Sequence, residues 1–195
     1  MNARNGLVAC CITLLVTAGA AACGSSGGGS SSLTGSSLPS WAKSLGSGVE
    51  VIPPGSTSPD DNTPADVLTG LVDAIKAKNY KGVCQFYEPS QQSSCASTMS
   101  EATTAELGTA FQSFTTIKPT YTVIDGTEAL VGATGTVCDP STNKCSTNSD
   151  PTAILDSGKP FSQLWQTAVN STSDAYEPVP VVKVNGKWYG DSSAS

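Results

Sequence analysis

The sequence predicts an α+β domain in which N-terminal helices pack on one face of a curved antiparallel sheet. Apolar residues recur at helical spacing after residue 63, and beyond Phe114 the apolar period changes to two among β-branched residues. Asp125-Gly126 and Asn185-Gly186, pairs typical of hairpin turns, separate the later runs. Helices followed by an antiparallel meander are the element order of an α+β fold.

The first helix has a clear start. Thr63 is a suitable N-cap, Pro64 suits the first helical position, and Asp66 lies near the positive end of the helix. Apolar residues then continue at helical spacing to Lys78. We therefore predict a helix of four turns that Asn79 stops.

Further helices and strands are predicted along the remaining chain. A short helix is expected over 80–87, a third helix over about 95–114, and residues 161–169 fit either a short helix or the flank of a strand. The predicted strands are 121–124, 129–137, 179–184 and 187–190.

Residues 1–22 are typical of an export signal. Arg4 gives a positive start, and the apolar run from Leu7 to Thr17 is too short to span a bilayer. The small residues before Cys23 resemble the lipobox of bacterial lipoproteins, in which the Cys becomes the acylated first residue. The resemblance implies a lipid anchor at Cys23 on the outer face of the bacterial cytoplasmic membrane. The alternative is ordinary cleavage after Ala22, which would release a secreted protein.

Residues 23–62 are predicted to be a tether, and residues 63–195 the folded domain. From Gly24 to Asn62, 24 of 39 residues are Gly, Ser or Pro, a composition that buries little apolar surface. An apolar island around Trp41 interrupts this stretch. We interpret the island as folding back onto the domain; a short recognition segment or an aromatic membrane anchor is the alternative.

Four cysteines lie within the predicted domain. In an exported protein they favour disulfides, and pairing of nearest neighbours, one of three connectivities, joins Cys84 to Cys95 and Cys138 to Cys145. Their spacing lacks the close pairs typical of zinc sites, so we expect no metal.

The composition excludes several kinds of chemistry. The chain has a formal charge of −6, contains no His, and has Arg4 as its single Arg. It therefore lacks an imidazole for nucleophilic catalysis and a basic stripe for nucleic acid. No Walker loop and no Gly-x-Ser-x-Gly motif occurs, and we expect no cofactor.

The composition does not exclude catalysis by a carboxylate or a phenol in a pocket. The available residues are Asp73, Tyr80, Tyr121, Asp125 and Glu128. Structural roles suit each of them, and no spacing favours a pair for acid–base catalysis. We therefore assign no catalytic residue.

The C-terminal Gly186-Lys187-Trp188 turn, after helices that start at Pro64, resembles the nuclear-transport-factor-2-like (cystatin-like α+β cone) superfamily and its exported actinobacterial members. The resemblance implies a cone-shaped cavity between helices and sheet, and such cavities serve several functions. Side chains that would line it, or would simply fill the core, are Phe111, Tyr121, Val123, Trp165 and Trp188.

The expected function is binding without catalysis. We expect an envelope lipoprotein, held to the bilayer through Cys23, whose domain binds an apolar small molecule or a partner protein. The alternative is a small cavity-based hydrolase or isomerase that uses an Asp or Tyr. The sequence does not set the oligomeric state.

Overall fold

The structure is a computed structural model that describes residues 32–56, 62–139, 144–170 and 177–191. The predicted signal segment, Cys23 and residues 140–143 lie outside the described residues. In the described part of the chain, no helix is long and apolar enough to cross a membrane.

An antiparallel sheet of seven strands organises the described residues. The strand order is β1-β2-β3-β4-β6-β7, and β5 pairs with the far end of β4. The strands are β1 (Leu33–Thr34), β2 (Glu50–Ile52), β3 (Lys118–Asp125), β4 (Glu128–Asp139), β5 (Lys144–Asn148), β6 (Val179–Val184) and β7 (Lys187–Gly190). The coarse prediction of helices with an antiparallel sheet is confirmed.

Five α-helices and four 3₁₀ helices accompany the described part of the sheet. The α-helices are α1 (Pro64–Lys76), α2 (Tyr80–Val83), α3 (Gln92–Glu101), α4 (Thr104–Phe111) and α5 (Phe161–Val169). The 3₁₀ helices cover Gly35–Ser37, Ser40–Leu45, Cys84–Phe86 and Gln112–Thr116. Residues 161–169, which fitted a helix or a strand flank, are helical.

Helix α1 begins as predicted. The Thr63 amide donates a hydrogen bond to Asp66 Oδ2 over 2.6 Å, and the Asp66 amide donates to Thr63 Oγ1 over 3.3 Å. This reciprocal capping box satisfies two backbone donors at the helix start. The helix ends at Lys76, slightly before the predicted Lys78, because Lys78 adopts a left-handed φ of 56°.

The predicted third helix is two helices. Helix α3 ends where Ala102 turns to extended backbone, and α4 starts with Thr103 as its N-cap. The Thr103 amide donates to Glu106 Oε2 over 2.9 Å, and the Glu106 amide donates to Thr103 Oγ1. A Thr followed three residues later by Glu is a helix-start pattern that the periodicity alone did not separate.

The sheet is buried on both faces, whereas the sequence predicted helices on one face only. Neighbouring residues of β4 point to opposite sides of the sheet. Ala129 and Val131 pack with α1, on what we call the α1 face, and Leu130 packs with α5, on the α5 face. Each of the three is fully buried. These consecutive apolar residues are typical of a strand in a sheet that is covered on both faces. The prediction that one face alone is covered is therefore corrected.

The second cover comes partly from the predicted tether. Leu38, Ala42, Leu45, Val49 and Val51 are buried in the same apolar cluster as α5. Strand β2 also pairs in register with β3, extending the sheet by two strands. Residues 33–52 therefore pack on and pair with the rest of the sheet, so the interpretation of the Trp41 island as folding back onto the domain is confirmed.

A β-bulge interrupts the pairing of β3 with β4. Pro119 lies opposite Ala133 and Thr122 opposite Val131, so Thr120 and Tyr121 together face one residue, Gly132. A Cβ on Gly132 would lie 2.7 Å from Thr120 Oγ1 and 3.1 Å from the Tyr121 carbonyl oxygen. Glycine is therefore needed here for the close approach of the two strands.

The outer edge of β3 is only half covered by the described residues. Strand β2 pairs with residues 122–124 of β3 and ends before Pro53. The other half of the edge carries the exposed Lys118, Pro119 and the bulge.

Both disulfides have the nearest-neighbour connectivity. Cys84 pairs with Cys95 and clamps the 3₁₀ turn after α2 to α3. Cys138 pairs with Cys145, its direct cross-strand neighbour in the β4–β5 hairpin.

Thr122→Val is expected to raise the free energy of unfolding by about 1 kcal/mol. Thr122 is 1% exposed on the α1 face, and its Oγ1 has no hydrogen-bond partner among the described residues. Valine keeps the branched shape and removes an unsatisfied hydroxyl, whose burial is unfavourable. Urea unfolding followed by circular dichroism measures the change.

Thr120→Val is the matched control. Thr120 is also buried, but its Oγ1 donates to the Pro151 carbonyl oxygen over 2.8 Å. The control should lose about 1 kcal/mol. A loss of stability in Thr122→Val would contradict our interpretation of that hydroxyl.

Candidate functional site

The residues predicted to line a cavity lie in three different apolar clusters. Tyr121, Val123 and Trp165 share the cluster on the α5 face. Trp188 belongs to the cluster on the α1 face, and Phe111 packs with Tyr80 beside α3 and α4. The structure therefore brings three of the five together, and the sheet separates Trp188 from them.

A half-buried aromatic pair marks the surface end of the α5 face. The rings of Trp41 and Tyr121 meet edge to face, with centroids 5.3 Å apart. Leu33 and Ile154 are also partly buried and pack against the same cluster. We call these four residues the aromatic patch.

The backbone around Trp41 explains why its side chain stays partly exposed. Ala42 and Leu45, on the 3₁₀ helix of Ser40–Leu45, are 0% and 2% exposed and hold that helix against the core. Trp41 is half-buried, while Lys43 and Ser44 are exposed. The helix is therefore fixed by its inner residues and presents an indole and an ammonium group at the surface.

Tyr121, the second ring of the pair, lies at the β-bulge. Two residues of β3 face one residue of β4 at the bulge, and such an insertion redirects the side chains of the bulged strand. Tyr121 packs on the α5-face cluster beside Trp41, and Thr120 is held by its bond to Pro151. Periodicity in the sequence did not reveal the bulge, although Gly132 within a β-branched run was an available signal.

The candidate acid–base residues are dispersed, apart from one pair. Asp73 is exposed on α1, 3.8 Å from the Lys76 ammonium, and Tyr80 is buried against Phe111. Only Asp125 and Glu128 are neighbours, since they face each other across the β3–β4 turn.

Glu128 has a perturbed carboxyl group. Partial burial, followed by the negative charges of Asp125 and Asp191, raises the pKa of Glu128 above its ordinary value. All three causes disfavour the ionised form. In the described residues, no group of three or more Cys, Asp or Glu side chains is arranged to hold a metal ion.

Glu128→Gln removes a carboxylate whose ionised form is unfavourable in the fold, so it should raise the free energy of unfolding at neutral pH. Because solvent screens a partly exposed charge, the gain is at most about 0.5 kcal/mol. A carboxyl whose pKa is raised on folding stabilises the protein below its unfolded pKa, and this contribution is lost as pH rises through the folded pKa. The difference between variant and wild type should therefore disappear below about pH 4.

Urea unfolding midpoints at pH 7 and at an acidic pH of about 3.5 measure this effect. The exposed Glu101→Gln removes one negative charge elsewhere and is the matched control. If Glu128→Gln makes the protein less stable than wild type at neutral pH, the fold favours the ionised carboxylate and our interpretation is wrong.

Comparison with known proteins yields no relative. No family model matches the chain, and neither the curated proteins nor the solved structures contain a match.

Proposed function

We propose that this chain is a membrane-anchored lipoprotein of the bacterial cell envelope, acylated at Cys23. Its extracytoplasmic domain binds an apolar small molecule or a partner protein and has no catalytic role. The observation that carries the proposal is the junction at the N-terminus, where a lipobox-like cysteine precedes a domain with two disulfides. Disulfides persist in oxidising compartments outside the cytoplasm.

The nuclear-transport-factor-2-like assignment belongs to this proposal. It is supported by the order of α1 to α4 followed by an antiparallel meander that closes with the β6–β7 hairpin. The cover on the α5 face, formed by residues 33–52 and α5, is an addition to what the resemblance implied.

A binding role is supported by the distribution of chemical groups. The chain has no His, and Arg4 lies in the predicted signal segment. The candidate acids and phenols are spread over different elements, with Asp125 and Glu128 as the adjacent pair. The aromatic patch offers apolar surface with two polar tips, a combination typical of recognition surfaces.

Mass spectrometry of the protein purified from its own membranes tests both parts of the proposal. The mature chain should carry the mass of a diacyl or triacyl group on Cys23, and Cys23→Ala should lose that mass and leave the membrane fraction. Protein found in the medium without acyl mass would instead support secretion.

Native spectra of the same sample test the binding role. A reproducible added mass of a small molecule supports an apolar ligand, and a stoichiometric complex with one envelope protein supports a partner. The sample must retain residues 33–52, because β1 and β2 are part of the sheet. A lipidated monomer that never carries either would overturn the binding role.

A further inference from the structure

The distance between the lipid anchor and the folded domain is short. Leu33, the first residue of β1, lies ten positions after Cys23. Ten residues span at most about 35 Å when fully extended. The nine residues between the two positions are all Gly or Ser.

The attachment point lies on the same face of the domain as the aromatic pair. Leu33, the first strand residue, packs against the same apolar cluster as Trp41 and Tyr121. A linker of nine residues therefore keeps this face of the domain near the bilayer. Tryptophan and tyrosine are enriched at the level of lipid headgroups, because their rings are apolar and their edges polar.

The segment that carries Trp41 has a charge that suits a bilayer, whereas Ile154 has the exposed Asp156 two residues away. Between Leu33 and Val49 the single charged side chain is Lys43, which is exposed two residues after Trp41. Lys118, also exposed, starts the strand that carries Tyr121. The chain as a whole is acidic, so a segment with a positive charge and no acid differs from the average surface. Lysine near an anionic leaflet contributes attraction.

We propose that the aromatic patch docks on the outer surface of the membrane, with the Trp41 and Tyr121 rings at headgroup level and Lys43 near the lipid phosphates. This inference rests on the acylation of Cys23 in the proposed function. Because the lipid anchor holds the domain next to the bilayer, the patch can dock even though its own affinity for the membrane is weak. Docking also sets an orientation, since it turns the opposite end of the domain toward the solvent.

Tryptophan fluorescence can test the docking directly. The chain has three tryptophans, of which Trp165 and Trp188 are 7% and 6% exposed and Trp41 is half-buried. The acylated full-length mature protein is reconstituted into vesicles of phosphatidylcholine and phosphatidylglycerol, with lipids brominated close to the headgroup as quenchers. We expect loss of up to roughly one third of the emission, since one indole of three meets the quencher.

Trp41→Phe is the matched variant, because phenylalanine keeps an aromatic ring in the patch. It should lower the total emission and abolish quenching by brominated lipid. Lys43→Glu should reduce quenching severalfold on vesicles with phosphatidylglycerol and leave it unchanged on phosphatidylcholine alone.

The acyl mass on Cys23, measured on the same sample, separates the two proposals. Acylated protein whose emission is unaffected by brominated lipid would overturn the docking surface and leave the lipid anchor standing. Quenching that persists in Trp41→Phe would also overturn it, since another indole would then face the membrane. A chain without acyl mass would overturn the anchor and, with it, the docking that depends on it.

Discussion

Replacing Gly135 with Ala should lower the free energy of unfolding by about 3 kcal/mol. Gly135 has a φ of 134°, a backbone conformation that residues with a Cβ rarely adopt. An added Cβ would also lie 2.8 Å from the Thr116 carbonyl oxygen and 3.0 Å from Ile117 Cα. Because both neighbours are backbone atoms, neither can move without disturbing the start of β3.

Gly135 occupies the point at which β4 changes partners. Thr134 still pairs with β3, whereas Gly135 pairs with Asn148 of β5. The next residue is tied to Thr116, whose Oγ1 accepts from the Thr136 amide over 2.9 Å and donates to the Thr136 carbonyl over 3.1 Å. The substitution therefore strains a junction that is fixed on both sides.

Gly158→Ala is the control for this variant. Gly158 has a φ of 70° and open space around the added Cβ, so the substitution should cost only about 1 kcal/mol. Urea unfolding with both disulfides intact measures the two losses. Equal losses would show that the clash with residues 116 and 117 does not contribute.

Leu45→Ala should lower the free energy of unfolding by about 3 kcal/mol. Leu45 is 2% exposed and packs in the cluster that contains α5 and the α5 face of the sheet. Truncation to alanine leaves a cavity in that cluster, and the loss of a buried leucine side chain typically has this magnitude. The result matters because residues of a tether contribute no such stability.

Thermal and urea unfolding of the mature protein measure the effect of Leu45→Ala. Ser44→Ala, one residue earlier and exposed, is the matched control and should change stability by less than about 0.5 kcal/mol. If both variants unfold with the wild-type midpoint, residues 38–51 do not belong to the cooperative domain.

Local signals made much of the fold predictable. Thr63 and Pro64 indicated the start of α1, and the structure has its capping box at that start. Asn185-Gly186 predicted a two-residue hairpin, and the two residues have φ angles of 52° and 82°. Such turns require positive φ at both positions, which few residue pairs other than Asn-Gly provide.

The role of residues 33–52 was harder to predict. Gly, Ser and Pro supply 9 of the 20 residues of this stretch, a share that resembles a linker. Its apolar residues are nevertheless buried, because β3 offers a free edge to β2 and α5 offers an apolar side. The apolar island around Trp41 indicated that the segment folds back onto the domain, but its partners lie far away in the chain, so the strand pairing was not predictable from a local pattern.

The aromatic patch depended on the same distant contacts. Trp41 was noted from the sequence as part of an island, and Tyr121 as a cavity candidate, but nothing joined the two. They meet because β2 pairs with β3 and because residues 38–51 pack on the α5 face, where Tyr121 lies. An irregularity in strand pairing has no reliable signature in the sequence of one strand.

The composition of the α5-face cluster also constrains the order of folding. Its members come from residues 38–51 near the start of the chain, from Val123 and Leu130 of the sheet, and from residues 155–169 near the end. A ribosome releases the N-terminal part first. The early segment therefore meets strand β3 only after about 70 further residues, and α5 only after more than a hundred. The part of the domain made first is therefore among the last to be buried, because α5 completes its apolar cluster.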